Sequence, residues 1–196
     1  MCGRNNCGYG VVELMFTTAL IAILTGIAMP QLLTGLDDQR ALGAARYLST
    51  LLQRVRMEAI TRSADVGMKF TLDDGGYVFG VYVDGNSNGV RTLDIRRGID
   101  RPLGASERLG DNFSGVDFGA IPDLPPVDAG GSAPADDPIR LGAGSLATFT
   151  AKGTATTGSL YIRGRRNAQF VVRIFGETAK LRVLRFDRST GKWKPV

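Results

Sequence analysis

Residues 14–36 read LMFTTALIAILTGIAMPQLLTGL, 23 positions that carry no charge and are mostly apolar. As a helix this run extends about 35 Å, enough to cross a bilayer hydrocarbon core of about 30 Å. A cleaved secretory signal has a shorter apolar region, about 7–15 residues, with small residues at the cut. Pro30-Gln31-Leu32 is a poor site of that kind, so the segment is predicted to span a membrane. Arg4 precedes it and Asp37 and Asp38 follow it. The positive-inside bias then leaves the N-terminus cytoplasmic and the body outside. Glu13 stands directly before the run, behind apolar Val11 and Val12. A carboxylate drawn to the bilayer centre costs about 2.5–3.5 kcal/mol. Two roles are open to it: a headgroup-level glutamate favoured by the helix dipole, or one half of a charge pair.

Composition narrows the rest. The chain of 196 residues is 43% hydrophobic and 22% charged, which puts it among folded proteins rather than disordered ones. It has no histidine, which removes Ser-His-Asp and Cys-His nucleophile systems and imidazole proton transfer. No pair of carboxylates is placed in a pocket by the pattern. Asp73-Asp74 and Asp136-Asp137 stand in turn-like sequence. The expectation is a protein that is not an enzyme and holds no cofactor. Charge is uneven: from Lys152 onward there are 11 basic residues against Glu177 and Asp187, a net of +9, while the first 151 residues carry 13 basic and 17 acidic, a net of −4. The basic surplus is therefore a property of the last quarter, suited to an anionic partner.

Behind the apolar run, Leu42, Ala45, Leu48, Leu52, Val55 and Ala59 recur at three- and four-residue steps, which predicts an amphipathic helix over about 39–62. Strands are predicted at Val66–Leu72 and Tyr77–Val83, joined by the turn Asp73-Asp74-Gly75-Gly76, and at Leu146–Thr150, Ser159–Arg163, Gln169–Phe175 and Lys180–Phe186. Residues of about 102–144 hold six of the eight prolines. This segment is expected to be mostly loop, long enough to serve as a partner-contacting surface.

Gly8-Tyr9-Gly10-Val11-Val12-Glu13-Leu14, followed by an apolar helix containing Pro30, resembles the signal of type IV prepilins and type II secretion pseudopilins. The helix end Leu52–Arg62, the run Tyr82-Val83-Asp84-Gly85-Asn86-Ser87-Asn88-Gly89 and the late Phe149-Thr150-Ala151-Lys152-Gly153-Thr154-Ala155 narrow the likeness. They resemble the GspH/FimT family of minor pseudopilins and minor pilins.

The resemblance implies an α+β, type IV pilin-like fold: a long N-terminal helix, half transmembrane and half amphipathic, packed on an antiparallel β-sheet head. It implies a leader over 1–8, a transmembrane assembly segment over 9–36 and a periplasmic head over 37–196. A prepilin peptidase would cut between Gly8 and Tyr9, and the new N-terminal Tyr9 would be methylated. Both cysteines, Cys2 and Cys7, leave with the leader. Glu13 becomes the fifth residue of the processed chain and neutralises the Tyr9 amine of a neighbouring subunit, joining two costly charges into one pair. Gly26 and Pro30 are expected to kink the helix, since proline donates no hydrogen bond and glycine lowers helicity. The implied partners are other minor and major pseudopilins or pilins, the peptidase and the bacterial inner membrane, crossed once.

Two further sites come from the residues. Asp84, Asn86, Asn88 and Gly89 match the first half of a calcium loop. The second half fails, because Ile95 stands at the twelfth position and Asp94 comes one early. A plain turn is the expected role, and calcium the alternative. Arg163, Arg165, Arg166, Lys180 and Arg182, with Tyr161, Phe170 and Trp193 interleaved, suit phosphate contact and base stacking. FimT-like minor pilins that capture DNA through a basic C-terminal region are the resemblance this supports. The competing role is a charged strand face that discourages sheet-to-sheet aggregation. The functional expectation is a minor pseudopilin that helps initiate or cap the pseudopilus exporting folded proteins. The alternative is a FimT-like minor pilin taking part in pilus assembly and DNA capture.

Overall fold

The structure, a computed structural model, describes residues 10–142 and 144–196. Gly8, Tyr9 and both cysteines lie outside the described residues. The chain divides into two compact units at Leu36/Asp37. Helix α1, Val11–Arg62, is 52 residues long and contributes to both.

In the first unit the helix presents apolar side chains outward on every side, with Val12 80% and Phe16 68% exposed. Water is a poor environment for such a surface, and hydrocarbon is a good one. Its threonines suit that environment. Thr17 and Thr18 donate their hydroxyls to the Leu14 carbonyl at 3.0 and 2.9 Å, and Thr25 donates to the Ile21 carbonyl at 2.7 Å. None of these three groups needs water. Residues 26 and 30 both lie within the helical assignment of α1.

In the second unit the same helix buries one stripe. Ala41, Ala44, Ala45, Leu48, Leu52, Val55 and Ala59 are at most 2% exposed. The recurrence of alanine keeps this stripe shallow, and it shares one buried cluster with residues of both sheets.

The remaining elements are β1 (Val66–Asp73), β2 (Gly76–Val83), α2 (Thr92–Arg96), β3 (Arg101–Pro102), β4 (Glu107–Arg108), α3 (Leu109–Asn112), β5 (Val116–Phe118), β6 (Ile139–Arg140), β7 (Leu146–Phe149), β8 (Gly158–Gly164), β9 (Gln169–Phe175), β10 (Lys180–Asp187) and β11 (Lys192–Pro195). They form two sheets instead of one. The first has the order β3-β2-β1-β7, with β4 also on β2. The second has the order β11-β10-β9-β8-β5, with β6 also on β8. All pairings are antiparallel. The fold class is thus α+β, a long helix packed on antiparallel sheets. The six predicted strands each fall within a residue or two of an observed one. Helix α2 and strand β11 carry no clear period and were not predicted.

The proline-rich middle is mostly irregular in backbone, yet it is not a free loop. It holds β4, α3, β5 and β6 and packs into the unit, burying Leu109, Val116, Phe118, Ile121, Leu124, Ile139 and Leu141. Phe118 on β5 of the second sheet meets three rings of the first: Phe70 at 5.4 Å, Tyr77 at 5.8 Å and Phe79 at 6.1 Å between centroids, all edge-on. It is the clasp between the sheets. Farther along, Ile121 and Leu124 cover Tyr161 and Val171 on the outer face of the second sheet, with Phe186 and Trp193 beside them. Two polar anchors fix this covering. The buried Gln169 side chain donates to the Gly119, Ile162 and Phe170 carbonyls and accepts from the Ile121 amide at 3.0 Å. The Trp193 indole donates to the Pro125 carbonyl at 3.0 Å.

Candidate functional site

The anchoring features begin with Glu13, which lies in the first turn of α1. The α1 helix is long and apolar enough, by length and composition, to cross a membrane. Gly8 and Tyr9, the expected cleavage and methylation positions, stand just before the described residues.

The predicted cations do not form one cluster. Arg163 projects from the end of β8, and Arg165 and Arg166 lie exposed in the turn to β9. Lys180 and Arg182 lie on β10, where Lys180 opposes Phe175 and Arg182 opposes Arg173. Arg163 opposes Gln169, at the other end of β9. Along β9, four positions (about 13 Å) separate Arg163 from Arg182 and six (about 20 Å) separate it from Lys180.

A single buried carboxylate holds the Arg165–Arg166 turn. Asp37 on α1 is 7% exposed, and its Oδ2 accepts the Arg166 amide at 2.8 Å and the Ala168 amide at 3.4 Å. Gly164 leaves room for it: a Cβ there would lie 2.6 Å from that oxygen. Next on the helix, Asp38 pairs with Arg185 at 3.1 Å. Other cations are also engaged. Arg173 pairs with Asp128 at 2.5 Å, Lys194 with Asp187 at 2.5 Å, and Arg188 donates to the Asn167 carbonyl at 3.2 Å. Arg163 stands opposite Asp117 on β5 and favours its charged form, while the guanidinium groups of Arg165 and Arg166 make no ion pair among the described residues. Asp37 was not legible in the sequence, because its role needs a contact across 129 positions.

The loop of Asp84, Asn86 and Asn88 spends its oxygens on the chain itself. Asp84 accepts the Asn86 amide at 3.0 Å and the Gly89 amide at 2.7 Å, and Asn86 accepts the Asn88 amide at 3.3 Å. The Asn88 side chain donates to Asp94 at 3.0 Å, and buried Asp100 accepts the Gly85 and Arg91 amides. Among the described residues no group of three or more His, Cys, Asp or Glu is placed to hold a metal. Burial raises the affinity of Asp84 for a proton, but the amides of Asn86, Gly89, Ser87 and Asn88 outweigh it and hold the carboxyl below its ordinary value. A carboxyl depressed in the folded state adds stability above its unfolded pKa and loses it as pH falls through the folded value. Asp84→Asn is therefore expected to flatten the acid side of the stability profile, measured by thermal unfolding from pH 6 down to about 3. An unchanged acid limb would contradict the amide clamp.

A profile of the family described as Type II transport protein GspH matches residues 44–178. The chain belongs to the GspH family. The match covers the buried half of α1, both sheets as far as the β9–β10 turn, and the packed middle segment. It also includes Arg163, Arg165 and Arg166. Over 83 residues the chain is 40% identical to the pilin-like protein PilA1 of Thermus thermophilus, a stretch covering 41% of this chain and 50% of that protein. The chain thus spans half the length of that curated relative. The crystal structure of the minor pseudopilin EPSH from the type II secretion system of Vibrio cholerae aligns with a TM-score of 0.45 and 15% identity, covering 74% of this chain and 94% of that one.

Proposed function

We propose that this GspH-family chain is a minor pseudopilin of a type II secretion system, a non-catalytic subunit that helps initiate or cap a periplasmic pseudopilus. One observation carries the reading: an uncovered apolar helix, headed by Glu13, runs on into a buried alanine-rich stripe beneath two sheets. Such a helix needs lipid or the helices of neighbouring subunits around it, and either environment penalises an unpaired carboxylate. The amine exposed at Tyr9 by cleavage after Gly8 would neutralise Glu13 of a neighbour. The subunit would cross the inner membrane once, with its N-terminus cytoplasmic and its head periplasmic, until it enters the filament. Gly26 and Pro30 would let the helix bend there.

The test uses two variants. Replacing Gly8 with a bulkier residue is expected to leave the full chain unprocessed, seen as retained leader mass. Normal processing would sink the prepilin assignment. Glu13→Ala is expected to insert into membranes normally yet be lost from sheared filaments. Equal incorporation would remove the charge-pairing role.

The exposed turn of Arg165 and Arg166, beside Arg163 on β8, favours a second reading: a FimT-like minor pilin that contacts DNA during capture. The full chain in detergent is expected to bind duplex DNA with steep salt dependence, and Arg165→Ala with Arg166→Ala to lower the salt slope by about 1–2. Identical titrations for both proteins would leave this turn an assembly surface.

A further inference from the structure

At the opposite end of the second sheet, register builds a row that the sequence conceals. Arg140 on β6 opposes Ser159 on β8, Ser159 opposes Arg173 on β9, and Arg173 opposes Arg182 on β10. Directly opposed residues share a face, so three guanidinium groups and a hydroxyl line up across four strands. Arg173 and Arg182 also converge on one ring, their central carbons 5.5 and 5.7 Å from the Phe175 centroid. Like charges placed opposite one another destabilise a sheet unless an anion lies between them.

Three members of the row, Arg140, Ser159 and Arg173, line a hollow of about 200 Å³ with Tyr161 and Asp128. Arg140 builds its wall, donating to the carbonyls of Ser132 and Ala133 and, at 2.7 Å, to the Ser132 hydroxyl. Arg173 lies on the floor with its side chain 16% exposed. Its Nη2 meets Asp128, while Nε, on the same edge of the guanidinium, is buried and has no hydrogen-bond partner among the described residues. That edge is the one that grips an oxyanion with two parallel bonds, and it is half used. Beyond Thr157 a second hollow carries Lys180 and Arg182, with Glu177 at its rim. Counting Arg140, Arg173, Lys180 and Arg182 against Asp128 and Glu177 leaves a local excess of two positive charges.

We propose that this row is a binding site for a single oxyanion group, a carboxylate or a phosphate, seated between Arg173 and Arg182 with the Ser159 hydroxyl as a further donor. The site is independent of the filament role and of the Arg163–Arg166 turn, which lies at the other end of β8 and β9. Both hydroxyl and guanidinium donors are present, and the Phe175 ring lies within 5.7 Å of both cations.

The test follows the arginine Nε–H signals of the full-length protein in detergent by nitrogen-15 NMR, titrated with inorganic phosphate and, in parallel, acetate at constant ionic strength. The Arg173 and Arg182 signals are expected to move and saturate with one of the two anions, while that of Arg62, paired with Glu58 on α1, stays still. Whichever anion saturates identifies the oxyanion class. Arg182→Gln, an exposed change that leaves the floor intact, is expected to weaken that binding about tenfold. Shifts that are absent, unsaturable with both anions, common to all arginines, or unchanged in Arg182→Gln would overturn the site.

Discussion

Phe118→Ala is expected to lower the free energy of unfolding of the second unit by about 3–5 kcal/mol, the range for removing a buried aromatic side chain. Phe118 is 6% exposed and makes the edge-on contacts with Phe70, Tyr77 and Phe79 that join the two sheets. Its neighbours come from β1 and β2, which are already held by a hairpin of eight paired positions. They cannot collapse inward to fill the space, so the cavity term adds to the lost transfer energy. Urea unfolding of the full chain, followed by the fluorescence of Trp193, reads this unit separately from the apolar helix, since Trp193 is the sole tryptophan and packs on the second sheet. Leu72→Ala is the control: Leu72 is 67% exposed on β1, and its loss is expected to change stability by less than about 0.5 kcal/mol. Equal effects of the two changes would mean that Phe118 does not clasp the sheets.

Asp37→Ala is expected to cost about 2–3 kcal/mol, because it strips the Arg166 and Ala168 amides of a charged acceptor in a buried place. Gly164→Ala is expected to act in the same direction by a different route. Its Cβ would overlap both carboxylate oxygens, at 2.6 and 2.7 Å, and push Asp37 from the turn. The double variant is the discriminating measurement: if both changes break one interaction, the combined loss falls short of the sum. Full additivity would separate Gly164 from Asp37. The same cycle bears on DNA contact, since loosening this turn is expected to raise the flexibility of Arg165 and Arg166 without altering their charge.

How far the chain could be understood without its fold depends on the range of each interaction. The apolar run of 14–36 and the stripe through Leu48 and Val55 depend only on spacing along one helix, and both were legible. So were the strands, whose side chains alternate within a few residues. The anchoring expectations at Gly8, Tyr9 and Glu13 rest on a local signal, which is why they could be stated by residue number. The cations of the last quarter were countable but not assignable. Nothing in their spacing tells that Arg163 and Lys180 stand against opposite ends of β9, or that Arg185 turns to the other face to meet Asp38.

The proline-rich middle shows the same limit from the other side. Proline and glycine mark an irregular backbone, and the backbone there is irregular. They say nothing about whether apolar residues set among them, such as Phe118, Ile121 and Leu124, find a surface to cover.

The sequence by itself therefore determined the membrane-length helix, its amphipathic continuation, the positions of the main strands and the candidate processing signal, because each is written in neighbours a few residues apart. Only the tertiary structure decided the split into two sheets, the Phe118 clasp, the Asp37 anchor and the Arg140–Ser159–Arg173–Arg182 row. Each of these depends on strand register and on contacts between residues far apart in the chain, and burial energy of that kind becomes specific only when the partner surfaces have met.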